Sequence, residues 1–387
     1  MGSPSLDRVP VYLDHAATTP VRAEVVDVML PWLRGGFANP SGAHRPARRA
    51  RRAIDDARDQ FAAALGCAPG DVVFTSGGTE SDNLAVGGVL DGTGGVAVCS
   101  AVEHPAVLRV VEAAGGRLVE VDGSGRIDLD RMEAVLDDTV SVVSVMTANN
   151  EVGTIQPVAE VVEVVRRRAP GALVHTDAVQ AAGWLDLSEV MGLVDLLSVS
   201  AHKLGGPQGV GALIVRNRGA LRSRQLGGGQ ERGVRSGTHN TAGIVGAGCA
   251  MELTNQRRSG DAARVADLAE QLRTGLGDAI PDLVETGATE RDVARLPSIV
   301  HICVPGVESE ALLILLEREE LYASAASSCA SGAQQSSHVL AAMGIDPALS
   351  FGALRLSLGY STTERDIGRA IQVIPDAVRV LRERGRA

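Results

Sequence analysis

Short apolar runs alternate with amphipathic stretches through the first half of the chain. The apolar runs have strand length, and stretches of helical periodicity separate most of them. This alternation predicts an α/β fold with a mostly parallel central sheet, in which ligands bind at the carboxyl ends of the strands. Strands are predicted at 71–75, 96–100, 117–121, 140–146, 172–176, 194–200 and 209–215, and helices at 46–66, 105–114 and 157–168.

A polar helical stretch at 251–279 is followed by a second region with fewer elements. The region is typical of a smaller α+β domain. We therefore divide the chain into an N-terminal segment, 1–20, that packs with the small domain, a large α/β domain, 21–255, and the small domain, 256–387. In the small domain we predict strands at 297–304 and 352–358 and helices at 308–318, 334–343 and 363–383.

Composition narrows the class of protein without identifying an activity. The 387 residues are 45% hydrophobic and 2% aromatic, so Val, Leu and Ala must build the core. The net charge of −10 argues against nucleic acid as a direct partner, and the basic run at 45–53 is most simply a solvated helix face. No apolar run has the length of a membrane span, and five scattered cysteines without metal-ligand spacing predict a cytoplasmic location.

Lys203 is the only lysine in the sequence, and every other basic residue counted with it is an arginine. It follows the apolar run 194–200 and precedes the glycine-rich "LGGPQGVG". An ammonium group can lose its proton when desolvated, whereas a guanidinium stays protonated, so arginine cannot replace a reactive amine. A codon bias that left one stray lysine explains the count equally well. Only the neighbouring motifs can distinguish a reactive lysine from one left by codon bias.

Asp177, in "VHTDAVQ", ends one predicted strand, and the next predicted strand ends shortly before Lys203. Adjacent strand ends would present both side chains to one pocket. Pyridoxal phosphate (PLP) uses such a pair, because a lysine binds its aldehyde as a Schiff base while a carboxylate keeps its ring nitrogen protonated. An ordinary helix N-cap is the alternative role for Asp177.

Further polar groups cluster at predicted strand ends. "FTSGGTESDN" at 74–83 passes from a strand into a helix, where the amides of Gly78 and Thr79 could hold a phosphate. A capping box of Thr79 and Asp82 is the structural alternative. Ser200 and His202 could donate to the same phosphate. His104 follows a strand and is a candidate to stack on the ring.

Cys329 differs from the other four cysteines in its surroundings. It lies in "ASAASSCASGAQQSSH" at 323–338, a small, polar, glycine-containing stretch in which a thiol could be exposed and could move. A linker cysteine without a role is the alternative. We predict no firm metal site, and Cys329 is a candidate transient ligand of an iron–sulfur cluster.

Eight ordered motifs extend over nearly the whole chain: "YLDHAATTP" (12–20), "FTSGGTESDNLA" (74–85), "EHPAVL" (103–108), "NNEVGTIQP" (149–157), "HTDAVQ" (175–180), "SVSAHKLGGPQGVGAL" (198–213), "GGGQERGVRSGT" (227–238) and "SSCASG" (327–332). Together they resemble the NifS/IscS-type cysteine desulfurases, which are class V aminotransferase-like enzymes of PLP fold type I. The resemblance implies an aspartate-aminotransferase-like fold, PLP as cofactor and L-cysteine as substrate.

The resemblance also implies a role for individual residues. Lys203 matches the Schiff-base lysine, Cys329 the nucleophile that becomes a persulfide, and His104 a group that moves a proton. Thr238 matches a residue that reaches the phosphate from the other subunit, which implies a homodimer. Arg355, Asn39 and Asn150 match the groups that hold the substrate. The implied cofactor contacts are Gly78, Thr79, His104, Asn150, Asp177, Gln180, Ser200, His202, Lys203 and Thr238.

We expect an enzyme that converts L-cysteine to L-alanine and passes sulfur to an unidentified acceptor protein, without membrane association. Selenocysteine lyase, aminotransferase and C–S lyase activities on the same fold remain alternatives, as does a catalytically silent scaffold. Gln208 stands where the family commonly has lysine, and "SAASSC" (324–329) replaces its "SSGSAC". The sequence also ends soon after its last predicted helix, which leaves the sulfur acceptor open.

Overall fold

The computed structural model describes residues 9–289, 293–325 and 337–384. Its strands are β1 (Val11–Tyr12), β2 (Val72–Thr75), β3 (Val96–Ser100), β4 (Arg117–Val119), β5 (Val140–Ser144), β6 (Leu173–Asp177), β7 (Leu196–Ser200), β8 (Gly211–Val215), β9 (Val284–Glu285), β10 (Ile299–Cys303), β11 (Leu321–Tyr322) and β12 (Ala353–Ser357). Its helices are α1 (Ala23–Arg34), α2 (Arg45–Leu65), α3 (Gly78–Thr93), α4 (Pro105–Ala113), α5 (Leu129–Val135), α6 (Val158–Arg168), α7 (Ser188–Leu193), α8 (Thr241–Ala279), α9 (Ser309–Arg318), α10 (His338–Ala342), α11 (Pro347–Ser350) and α12 (Glu364–Arg384).

Within the described ranges, a seven-stranded sheet has the order β2-β8-β7-β6-β5-β3-β4. Its strands are parallel except β8, which runs antiparallel to both β2 and β7. Both faces are covered, because Val142 of β5 packs in one core with α3 and α4 while Val143 packs in another with α6. Strands buried on both faces read as continuous apolar runs, which is how they appear in the sequence. The predicted α/β class with a mostly parallel sheet is confirmed.

A separate apolar core forms around the antiparallel sheet β12-β10-β9 and the parallel pair β1-β11. Val11 and Leu13 belong to this core although they lie at the start of the described chain. Helix α8 contributes to both cores, with Met251 in the first and Leu272 in the second. The domain boundary after residue 255 falls inside α8 and stays a prediction.

The observed elements follow the hydrophobic pattern closely where elements are long. Helix α1 lies in a region for which the sequence pattern predicts no element. Among the predicted elements the largest difference is α8, which begins ten residues earlier than predicted because its first turns are small, buried residues without a polar face. The two-residue strands β1, β9 and β11 are too short to show periodicity. No helix in the described parts of the chain, α8 included, has a stretch apolar enough to cross a bilayer.

The carboxyl ends of the central strands meet where the chain changes from strand to helix or turn. β6 ends at Asp177, which pairs in register with Ser198 of β7, and β7 leads directly into a 3₁₀ turn, Ala201–Lys203. Gly211 pairs with Ser200 at the start of β8, and a Cβ on Gly211 would lie 2.7 Å from the Cα of Gly77. Glycine at 211 therefore lets the loop before α3 approach the end of β7.

Candidate active site

A cavity of about 560 Å³ opens at this carboxyl edge, a volume typical of small-molecule sites. Leu313 of α9 and Arg355 of β12 line the cavity from the part of the chain that forms the second apolar core. Ten of the residues singled out by the sequence line it: Gly78, Thr79, His104, Asn150, Asp177, Gln180, Ser200, His202, Lys203 and Arg355.

Two described residues singled out by the sequence, Thr238 and Asn39, are exposed and do not line the cavity. A third, Cys329, lies outside the described residues. The loop that carries Thr238 is fastened to α3, because Arg235 Nε donates to Glu80 Oε1 at 2.7 Å. Asn39 uses its side-chain oxygen to accept a hydrogen bond from the Ser41 amide at 3.0 Å.

Lys203 points into the cavity from the turn after β7. Its Nζ donates to the carbonyl oxygen of Ala17 at 2.7 Å and to that of Ala16. Burial, followed by the positive charge of Arg355, lowers the pKa of Lys203 to about 8, whereas Asp14 and Asp177 act in the opposite direction. The side chain therefore reaches its neutral, nucleophilic form close to neutral pH, as a reactive lysine requires.

Asp177 faces the same cavity from the end of β6 and is 6% exposed. Its Oδ1 accepts a hydrogen bond from the Val179 amide at 2.8 Å. Burial raises the pKa of Asp177, and His104, the Val179 amide and Lys203 each lower it. A buried carboxylate is stable only beside positive charge, which the protonated ring nitrogen of PLP would add.

The N-terminus of α3 forms a cradle for an anion. Gly77 caps this 16-residue helix, and Gly78 and Thr79 line the cavity with first-turn amides that have no partner within the helix. A Cβ on Gly78 would approach Val179 Cγ2 to 2.8 Å, so the position requires glycine. Ser200 Oγ is buried and has no hydrogen-bond partner among the described residues. An unpartnered hydroxyl beside free amides and a helix dipole fits the phosphate of PLP.

Two imidazoles at the cavity have pKa values below that of a free histidine. His104 caps α4, and its Nδ1 accepts a hydrogen bond from the Ala106 amide at 3.1 Å, which assigns the ring proton to Nε2. Burial lowers its pKa. Burial and then the charge of Lys203 lower the pKa of His202 to about 4. His104 can therefore lie against a ring and exchange a proton without bringing a permanent charge.

Arg355 brings a guanidinium group to the cavity wall. Its Nη2 donates to Asp14 Oδ1 at 2.7 Å, and its Nη1 donates to the carbonyl oxygen of Asn150 at 3.0 Å. Its Nε is buried and has no hydrogen-bond partner among the described residues. The guanidinium is thus held in one orientation with a donor still available, which suits recognition of a substrate carboxylate.

Several groups at the site are not identified by the sequence patterns. Asp14 orients Arg355, and the backbone carbonyls of Ala16 and Ala17 hold Lys203. All three lie in the motif "YLDHAATTP". The motif itself can be recognised in the sequence, but a contact made by a backbone carbonyl does not depend on the side chain and therefore cannot be predicted from it. Asp82 is buried against the cavity, and the capping box suggested for it with Thr79 does not form, because Gly77 caps α3 without a side-chain bond.

Comparisons with known proteins extend over almost the whole chain. The aminotransferase class-V family matches residues 11–369. A cysteine desulfurase of Sinorhizobium fredii (strain NBRC 101917 / NGR234) is 42% identical over an alignment of 386 residues that covers 97% of this chain and 98% of that protein. A solved NifS-like protein superposes with a TM-score of 0.89 at 34% identity, covering 96% of this chain and 100% of that one. The structure of SspA in complex with cysteine gives a TM-score of 0.79 at 30% identity, covering 91% and 100% of the two chains.

Proposed function

Because the chain belongs to the aminotransferase class-V family and is a PLP-dependent cysteine desulfurase, we propose that Lys203 and Cys329 carry the reaction. The observation that carries the proposal is the position of Lys203. The only lysine of the sequence lies in one cavity with Asp177 and Arg355, and its pKa is lowered to about 8. A non-catalytic scaffold would not require a desolvated amine in this cavity, so the burial of Lys203 favours an enzyme.

The cavity provides a partner for each end of the cofactor. Lys203 Nζ would hold the aldehyde, Asp177 the ring nitrogen and Gln180 the ring oxygen. The cradle of Gly78, Thr79, Ser200 and His202 would hold the phosphate. When bound, PLP supplies a carbonyl that accepts an amine and a protonated ring that withdraws electrons.

Arg355 and Asn150 orient L-cysteine through its carboxylate. Asp14 already fixes the orientation of the guanidinium, so Arg355 loses little further conformational freedom when the substrate binds. Lys203 Nζ, once the substrate amine has displaced it, would remove the proton from the substrate Cα. His104 Nε2 handles the proton of the substrate thiol.

Cys329 is the proposed sulfur acceptor. Its thiolate attacks the substrate sulfur, the new S–S bond forms as the C–S bond breaks, and L-alanine leaves after protonation. The residues on either side of the segment 326–336 lie near the cavity. Ser324 and Ala325, which precede the segment, line the cavity. After the segment, the ring Nε2 of His338 is 2.9 Å from the carbonyl oxygen of Glu103, the neighbour of His104.

The same proposal includes a homodimer, a cytoplasmic location and an acceptor protein whose identity is open. Thr238 would reach the cofactor phosphate of a second copy. Its exposure, and the attachment of its loop to α3 through Arg235 and Glu80, support this role.

The activity is tested by incubating purified protein with PLP and L-cysteine. We expect a yellow protein that releases alanine and, with a thiol reductant, sulfide. A colourless protein, or PLP-loaded protein that releases pyruvate rather than alanine, would contradict desulfuration. The second outcome would favour a C–S lyase that eliminates across the substrate.

Asp177→Asn is expected to lower kcat by about a hundredfold or more, because a neutral amide cannot keep the ring nitrogen protonated. Some PLP should still bind through the phosphate cradle. The measurement is kcat at saturating PLP, with cofactor occupancy read from absorbance. Asp186→Asn, at an exposed carboxylate beyond β6, is the matched control and should retain the parent rate. Parent-like turnover by Asp177→Asn at full occupancy would remove Asp177 from its role.

Arg355→Lys is expected to raise KM for L-cysteine about tenfold or more, because an ammonium cannot reproduce the fork of a guanidinium. PLP binding should be unaffected. Steady-state kinetics measure the change, with Arg379→Lys on the exposed face of α12 as control. An unchanged KM in Arg355→Lys would show that the substrate carboxylate binds elsewhere.

A further inference from the structure

A second carboxyl group lies beside Asp177 and has no part in the chemistry described above. Asp82 is in the second turn of α3 and is 1% exposed. One oxygen of Asp82, one oxygen of Asp177 and one ring nitrogen of His104 lie within 4.8 Å of one another. Two carboxyl groups at this separation, out of contact with water, do not both ionise readily.

Of the residues that the structure describes, none lowers the pKa of Asp82 through a positive charge, although His104 lies in the same cluster and lowers the pKa of Asp177. His175 of β6 approaches its Oδ1 to 3.6 Å, but burial lowers the pKa of His175 to about 3, so the ring is neutral. The two ring nitrogens of His175 already bond to the hydroxyls of Ser144 and Ser198, at 2.8 and 2.9 Å. The Oδ1 of Asp82 has no hydrogen-bond partner in the described chain.

The two carboxyl groups therefore differ in the interactions that lower their pKa values. Burial raises the pKa of both, but His104, the Val179 amide and Lys203 all lower that of Asp177. For Asp82, only a hydrogen bond with Ser198 lowers the pKa, and the negative charges of Asp177 and Glu103 raise it further. These surroundings favour Asp82 over Asp177 as the site of a proton shared by the pair.

We propose that Asp82 is a positioning residue that stays uncharged and leaves the single negative charge of the pair on Asp177, next to the cofactor ring nitrogen. The inference rests on the proposed function, since it concerns the partner of PLP. Helix α3 would then have two roles. Its N-terminus would hold the phosphate, and its Asp82 would keep the negative charge on Asp177, beside the ring nitrogen.

The first test uses the apoprotein and needs no cofactor. Folded Asp82 keeps its proton above the pKa of about 3.9 that it has when unfolded, so this residue makes the parent less stable as pH rises. Asp82→Asn removes that loss with almost no change of shape. The Tm of the variant minus that of the parent should grow by about 2 °C or more between about pH 5 and about pH 8. For Asp186→Asn the difference should stay constant.

The second test measures the Kd for PLP and compares Asp82→Asn with Asp177→Asn. The same chemical change at two neighbouring carboxyls should have opposite results. Asp82→Asn should bind PLP within about threefold of the parent because it replaces a neutral acid, and Asp177→Asn should bind at least about tenfold more weakly.

Two outcomes would overturn the proposal. One is a Tm difference for Asp82→Asn that does not grow with pH, which means that Asp82 ionises in the folded protein. The other is a loss of PLP affinity in Asp82→Asn as large as in Asp177→Asn, which means that its charge is needed. If the parent itself binds no PLP, the proposed function fails, while the apoprotein measurement still decides the protonation state of Asp82.

Discussion

Lys203→Arg is expected to reduce desulfuration of L-cysteine to background, a loss of at least about a thousandfold, although the charge is preserved. A guanidinium stays protonated, so it can neither hold the cofactor aldehyde nor remove the Cα proton. The parent side chain, with its pKa of about 8, supplies the neutral amine. Alanine release and the absorbance of bound PLP measure the change. The carbonyls of Ala16 and Ala17 can still accept from an arginine, so the fold should survive.

The sequence offers an internal control for this variant. Because Lys203 is the only lysine, borohydride reduction of the PLP-loaded parent should attach the cofactor to a single internal peptide. The variant should show no attachment there. Turnover by Lys203→Arg within about tenfold of the parent would contradict the assignment of the base.

Cys329→Ser is expected to bind PLP and L-cysteine but to release alanine only at background rate. A serine hydroxyl remains protonated at neutral pH and is a poor nucleophile toward sulfur, whereas a thiolate is a strong one. The measurement combines alanine release with the absorbance change of the cofactor on addition of L-cysteine. We expect the absorbance change to persist and product formation to stop.

The other cysteines supply matched controls. Burial raises the pKa of Cys67 to about 11 and that of Cys303 to about 12, so these thiols do not form thiolates readily. Cys249, which is partly exposed on α8, is the best control, and Cys249→Ser should turn over normally. Alanine release by Cys329→Ser at the parent rate would exclude a persulfide on this residue as a required step of the reaction.

The part of the site that lies at strand ends could be predicted from the sequence. Parallel strands bring their carboxyl ends to one edge, so the apolar runs before Asp177 and Lys203 were sufficient to place both side chains in one cavity. The glycines at the start of α3 left a phosphate cradle and an ordinary helix cap as alternatives, and the close approach of Gly78 to Val179 appears only in the structure.

The rest depends on packing that local patterns do not contain. Asp14 reaches Arg355 because it forms a bridge with Ser357 of β12, the strand that carries Arg355 and that lies far along the chain from Asp14. The uncharged state proposed for Asp82 follows from its burial beside Asp177, not from its own sequence context. Thr238 is exposed in a single chain, so its proposed role requires a second copy. Asn39 is exposed away from the cavity, and its expected contact with the substrate stays a prediction.

The most direct test follows one sulfur atom. PLP-loaded protein is mixed with one equivalent of L-cysteine without reductant, alanine is quantified, and the alkylated protein is digested and examined by mass spectrometry. We expect one alanine released per sulfur gained, with the mass of one sulfur atom added to the peptide that contains Cys329. Alanine released without added sulfur on that peptide, or sulfur found on a different cysteine, would contradict the proposed mechanism.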